Sequence, residues 1–210
     1  MNEELINYIE TKIFPKYADG SGHDLDHIKY VIERSLKFAE QVPDVDKNMC
    51  YVIAAYHDIG RLIDDDYHEK ISAAYARIDE KMKEFFSDEE IAVIAEAIED
   101  HRASSKREPR SVYGKIVSSA DRNTAVDEMI KRSVEAHTYW SQDKDLDEVL
   151  EAARDHMRKK YGKNGYALKK MYFDDPDYSR FCAEVDAVTR DFQTFKAKYE
   201  SLADCGLGYS

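Results

Sequence analysis

Six residues of this chain have side chains suited to holding a divalent ion: His27, His57, Asp58, His68, His101 and Asp121. A donor set that mixes imidazole with carboxylate suits Mn, Fe, Ni, Co or Zn, whereas all-oxygen sets suit Mg or Ca. His57 and Asp58 are neighbours, so on a helix their side chains diverge by about 100° and can still flank one ion at a helix end. A carboxylate beside imidazoles keeps a second oxygen free, so Asp58 could bridge two ions. An ion held this way lowers the pKa of a water molecule, and a pair about 3.5–4 Å apart can clamp a phosphoryl group and its leaving oxygen. The chemistry on offer is hydrolysis by an activated water, with Asp58 or Asp121 as candidates for orienting that water. Phosphoryl transfer also needs positive charge on the non-bridging oxygens. Arg61, Lys70, Arg102 and Arg122 each lie close in sequence to one of the six donors and are the candidate substrate-binding cations. The stretch from Arg102 to Arg110 adds Lys106 and Arg107 and holds one acid, Glu108, so it reads as a loop that meets the substrate's phosphate or acts as a lid.

Residues so far apart in sequence need a scaffold that turns them inward, and the apolar spacing supplies one. Leu5, Ile9, Ile13 and Tyr17 mark a first helix. Gly20-Ser21-Gly22 should break it, and a second helix starts near Asp24 or Asp26 and runs through Ile28, Val31, Ile32, Leu36 and Ala39. Asp46 is a candidate N-cap for a third helix leading straight into His57-Asp58, with Gly60 as its stop. Asp66 and Glu69 resemble a capping box for a helix through Ile71 and Ile78. Ser87 or Asp88 caps a helix that ends at His101, and Val112 to Asp121 forms another. Val126, Met129, Ile130 and Val134 continue the helical spacing. Gly162, Gly165 and Pro176 then divide a charge-rich remainder into helices near 145–161 and 178–203. No alternating strand pattern appears, and the 8 Gly and 4 Pro leave few tight turns. The fold class expected is all-α, and a helix bundle can bring side chains from separate helices to one inward point.

The order of these residues carries a resemblance. His27, then His57-Asp58, then Asp121 within Ser119-Ala120-Asp121-Arg122, resembles the H…HD…D signature of the HD-domain superfamily, and Ala54 to Arg61 looks like that family's central motif. The resemblance covers roughly residues 20 to 135. A rise in charge density beyond about residue 140 divides the chain into a helical core over residues 1–135, metal-binding by the resemblance, and a C-terminal helical subdomain or cover over 136–210. The resemblance implies a metal-dependent phosphohydrolase, a phosphomonoesterase or phosphodiesterase, acting on a nucleotide or another small phosphorylated metabolite. His68 and His101 occupy intervals where binuclear members, including cyclic-dinucleotide phosphodiesterases and HD-type diadenosine tetraphosphate hydrolases, carry extra histidines. By resemblance, His27, His57, Asp58 and Asp121 hold one ion, and Asp58, His68 and His101 a second. Arg61 stands where the cyclic-dinucleotide group usually has Lys, and that group's Gly-Tyr-Pro motif is absent, which disfavours a cyclic dinucleotide as substrate.

The net charge of −12 repels nucleic-acid backbones and anionic membranes, so neither is an expected partner. The N-terminus carries acids and lacks the basic and apolar regions of a signal peptide. Cys50, Cys182 and Cys205 are scattered and odd in number, which suits reduced thiols and a cytoplasmic protein. The same residues admit plainer readings. His68 could open an exposed helix, His101 could be a cation at a helix C-terminus, and Asp64 and Asp65 read best as a solvated acidic turn. His23 is set aside as a ligand, and His137 and His156 read as surface or packing residues. Tyr139, Trp140, Tyr166, Tyr172 and Phe173 read as core more readily than as a base-stacking wall. The rival functional class is a catalytically inactive metal- or nucleotide-binding regulatory module.

Overall fold

The computed structural model describes residues 1–17, 25–140 and 143–204. The Gly20-Ser21-Gly22 break, His23, Asp24 and Cys205 lie outside them. Among the described residues every regular element is helical, as the spacing of apolar residues requires. No helix among them is long and apolar enough to cross a membrane. The chain forms two compact units, Met1–Asp121 with Lys170–Phe173, and Arg122–Lys169 with Asp174–Ser210.

The first unit is built around a helix buried on all sides. Asn2 caps α1 (Glu3–Tyr8) with its side-chain oxygen on the Glu4 and Leu5 amides. The expected single first helix then changes winding, with a π-helical turn at Ile9–Ile13 and a 3-10 turn at Phe14–Tyr17. Pro15 falls in that last turn, where its missing N–H breaks the α-helical ladder. Leu5, Ile9, Ile13 and Tyr17 are all buried. After α2 (Leu25–Ala39), Asp46 caps α3 (Lys47–Tyr56), in which every residue from Met49 to Tyr56 is buried. A helix apolar all round belongs at the centre of a core. Around it pack α2, α4 (His68–Ile78), α5 (Asp88–Glu99) and α6 (Val112–Ala120). Ser87 and Glu90 form a complete capping box on α5, and Ser111 caps α6. At the C-terminal end of α3, the Tyr56 and Tyr8 hydroxyls both donate to Asp79 Oδ2 at 2.6 Å, tying the N-terminal segment to the helix end that carries the site.

Two local expectations need correction. The Asp66–Glu69 capping box does not form. Asp64 Oδ1 takes the Asp66 and Tyr67 amides first, at 2.9 and 3.3 Å, so α4 begins at His68 behind Tyr67, and Glu69 pairs with Arg102 instead. Gly60 is not a helix stop either. α3 ends at Tyr56, and Gly60 sits inside a 3-10 turn, Ile59–Leu62. Glycine is required there by close approach: a Cβ would run into the His68 carbonyl and lie 2.9 Å from Ile71 Cβ, while the Gly60 amide donates to Ser72 Oγ at 2.9 Å.

The second unit is a separate helical cluster of α7 (Val126–Trp140), α8 (Leu146–Tyr161), α9 (Pro176–Val188) and α10 (Phe192–Asp204). Asp145 and Glu148 form a capping box on α8, and Asp175 caps α9 with Pro176 in its first turn. The stretch 178–203 is two helices, because the chain breaks after Thr189 and Asp191 recaps it by accepting from the Thr194 amide at 2.8 Å. Leu150, Ala153, Met157, Phe181, Val185 and Phe195 are buried in this unit. His137 and His156 face each other, ring centroids 5.5 Å apart.

The Gly60 contact can be checked by substitution. Gly60→Ala should destabilise the protein by about 1–3 kcal/mol, the range for overpacking a filled site, measured by urea unfolding. Unchanged stability would mean that the 59–62 turn can move away from α4.

Candidate metal centre

The site is made where helices end. A helix leaves its last carbonyls without intrahelical donors, and His57 and His101 use such carbonyls. His57 Nδ1 is 2.7 Å from Ala54 O, and His101 Nδ1 is 2.6 Å from Ile98 O. His68 repeats the three-residue relation at the start of α4, with Nδ1 2.7 Å from Asp65 O. A carbonyl only accepts, so in each neutral ring the proton is assigned to Nδ1 and the lone pair to Nε2. The same anchoring fixes ring orientation in metal sites generally.

Those Nε2 atoms converge on Asp58. His68 and His101 Nε2 are 3.1 Å apart and lie 3.4 and 3.5 Å from Asp58 Oδ1. On the other side, His57 and His27 Nε2 lie 3.5 and 3.8 Å from Asp58 Oδ2, and His27 Nε2 is 3.4 Å from Asp121 Oδ1. Asp58 therefore turns one oxygen toward each of two donor groups, His27–His57–Asp121 and Asp58–His68–His101, whose members each lie within 4.8 Å of one another. The second group is fully buried, whereas His27 and Asp121 are about one-fifth exposed.

These residues fit a divalent ion. Bonds of about 2.1 Å place neighbouring donors about 3.0 Å apart in an octahedron and about 3.4 Å in a tetrahedron; the 3.1 and 3.4 Å edges fall in that range and the 3.5 Å edge lies just above it. Two neutral imidazoles facing each other by lone pairs at 3.1 Å repel unless a cation lies between them. His57 Nε2 is buried with no hydrogen-bond partner, a costly arrangement for a ring nitrogen that an ion would relieve.

Electrostatics divides the histidines. Burial opposes protonation of His57, but the Asp58 and Asp121 carboxylates and the Ala54 carbonyl outweigh it and raise its pKa to about 9. Burial is the main cause that lowers His68 to about 4, with the neighbouring His101 ring and Arg61 adding to it. Burial would raise the Asp121 carboxyl, yet the His27 hydrogen bond and the His57 and His27 charges hold it well below the usual carboxylate range.

The structure thus brings His27, His57, Asp58, His68, His101 and Asp121 together. The cations separate. Arg61 lies against this group, with Nε 2.8 Å from Asp58 Oδ2 and Nη1 bonded to Asp65. Lys70 is exposed and lies over the Tyr67 ring. Arg102 donates to the Asp66 carbonyl and to Glu69, tying the turn before α4 to the end of α5. Arg122 opens the second unit and is buried. Within the Arg102–Arg110 loop, Arg107 and Arg110 both bond to Asp100, and Arg110 also to Glu99, so most of its charge anchors the loop to α5. Of the aromatics weighed for base stacking, Phe173 stacks on Phe38 and the Tyr172 amide donates to Ser119 Oγ, both within the first unit.

Two residues at the site escaped the sequence reading. Tyr17, buried, donates to the Ala55 carbonyl at 2.8 Å. Its apolar spacing made it a core residue, and nothing in the sequence announced the hydroxyl's task. Arg34 had a signal: a charge between Val31 and Phe38 on the apolar face of α2.

The family model for the HD domain matches residues 24–126. No curated protein matches the chain. Among solved structures, the chain is similar to a predicted HD superfamily hydrolase from an uncultured Thermotogales bacterium, at 19% identity and a TM-score of 0.48, over 93% of this chain and 91% of that one.

The unequal histidines predict unequal pH dependence. Below about pH 9 an ion entering the His27–His57–Asp121 group must displace a proton from His57, so its affinity should rise roughly tenfold per pH unit toward that value. His68, lowered to about 4, adds no proton release near neutrality when an ion enters the Asp58–His68–His101 group. Calorimetry in buffers of different ionisation enthalpy counts the released protons; none released at pH 7 would refute the assignment to His57.

Proposed function

We propose, from the premise that this chain belongs to the HD-domain superfamily of metal-dependent hydrolases, that it cleaves a phosphoester of a nucleotide or another small phosphorylated metabolite. The observation that carries the reading is the Asp58 carboxylate, with one oxygen toward His27 and His57 and the other toward His68 and His101. His27, His57, Asp58 and Asp121 are the residues assigned to one divalent ion, and Asp58, His68 and His101 those assigned to another. Divalent ions there would supply Lewis acidity to the attacking water and to the phosphoryl group.

The chain's own residues do the remaining work. Asp121, partly exposed and held in its ionised form by His27 and His57, is placed to accept a hydrogen bond from the attacking water and orient it. Asp58 does the same from the buried side. Arg61, whose Nε lies 2.8 Å from Asp58 Oδ2, is the cation assigned to the phosphoryl oxygens. The acidic surface, at a net charge of −12, favours a small substrate over a nucleic acid.

Two measurements test the reading. Metal analysis of purified protein should find about two ions per chain, falling to about one in His68→Ala/His101→Ala, as expected for a two-ion hydrolytic centre. One ion, unaffected by the double change, would return the site to a mononuclear scheme. Protein loaded with Mn²⁺ or Fe²⁺ should hydrolyse a member of a panel of nucleotide mono- and diesters; turnover of none would favour the inactive binding module.

A further inference from the structure

Helix α2 carries a second polar side chain on the stripe that holds His27. Arg34 follows His27 by almost two full turns, and only 7% of it is exposed. A buried guanidinium needs acceptors, because desolvating a cation without them is costly. Arg34 reaches the end of α6: Nε donates to Ala120 O at 3.1 Å and Nη2 to Ser119 O at 3.4 Å. The guanidinium also lies 5.3 Å from the ring centroids of Tyr30 and Phe38, which fix it from within α2.

Ser119 and Ala120 directly precede Asp121. The last carbonyls of a helix lack intrahelical donors and carry the negative end of its dipole. A two-pronged cation on two of them holds the helix end in one place. Asp121 is the capping residue of α6, with its amide on Val117 O at 2.9 Å, so its carboxylate leaves the chain one residue past the clamp. The same α2 stripe presents His27, whose Nε2 lies 3.4 Å from Asp121 Oδ1. One helix thereby places the imidazole directly and the carboxylate through backbone carbonyls.

We propose that Arg34 is a positioning residue that sets Asp121 against His27, so that the His27–His57–Asp121 group is in register for an ion. The inference rests on the metal reading of the site. It is specific to one of the two groups, because His68 and His101 come from α4 and the end of α5. It is also specific to arginine, because a lysine ammonium is a point charge without the planar fork that spans two acceptors.

The test is Mn²⁺ binding by the full chain, followed by calorimetry, for wild type, Arg34→Lys, Arg34→Met and the His68→Ala/His101→Ala control that identifies the second group. Binding at the His27–His57–Asp121 group should weaken roughly 10- to 100-fold in Arg34→Met, the range for losing a residue that orients a ligand, and recover only in part in Arg34→Lys. Binding at the other group should not change. Equal weakening of both groups, unchanged binding by variants that melt cooperatively, or loss of cooperative melting in both variants would each overturn the positioning role. Wild-type protein that binds no Mn²⁺ would overturn the metal reading itself, and this inference with it.

Discussion

A carboxylate with about 1% of its side chain exposed, set among four imidazoles, is the constraint around which the first unit is arranged. Removing such a charge from water costs several kcal/mol unless cationic or hydrogen-bonding partners replace the solvent. Asp58 divides its partners by oxygen. Oδ2 faces Arg61, His57 and His27, and Oδ1 faces His68 and His101. The arrangement suits a pair of cations because both sides of one anion are used. His57 and His68 shift in opposite directions because two carboxylates outweigh burial at His57, whereas burial, with His101 and Arg61, prevails at His68.

Such a centre needs a frame that does not yield, and the fold supplies it through one repeated device. His57, His68 and His101 each bond Nδ1 to the carbonyl three residues before. Each imidazole is thus oriented by its own backbone, and the positions of the rings reduce to the positions of helix ends. Those are set by apolar packing on α3, buried from Met49 to Tyr56, and by polar ties at its C-terminal end, where Tyr17 holds Ala55 and the Tyr8–Asp79–Tyr56 cluster closes the corner. Gly60 lets the 59–62 turn lie against the first residues of α4, which brings His68 to Asp58.

The cations show how far sequence proximity can mislead. Lys70, Arg102 and Arg122 all stand near a donor in sequence, yet their surroundings differ. Arg102 is joined to Glu69 and the Asp66 carbonyl, Lys70 lies exposed over Tyr67, and Arg122 is buried at the start of the second unit. Arg107 and Arg110 read as a phosphate-binding patch by composition, whereas Asp100 and Glu99 draw them back to α5. A charge finds its partner in space, and the acids that matter lie seven to eleven residues earlier on another element.

The helical class, many helix limits and the six clustered imidazole and carboxylate side chains were legible in the sequence, because periodicity, capping residues and the mixture of imidazole with carboxylate are local chemistry. Asp46, Ser87 and Asp145 cap helices for reasons visible within a few residues. Failure came where two local options competed, as at Asp64 against Asp66 for the amides before α4, or where a distant backbone decided, as at Gly60. Which oxygen of Asp58 faces which histidines, the 3.1 Å approach of His68 Nε2 to His101 Nε2, and the reach of Arg34 to the end of α6 came only from how the helices pack. These relations join helices far apart in sequence, and no periodicity within one helix records the distance to another.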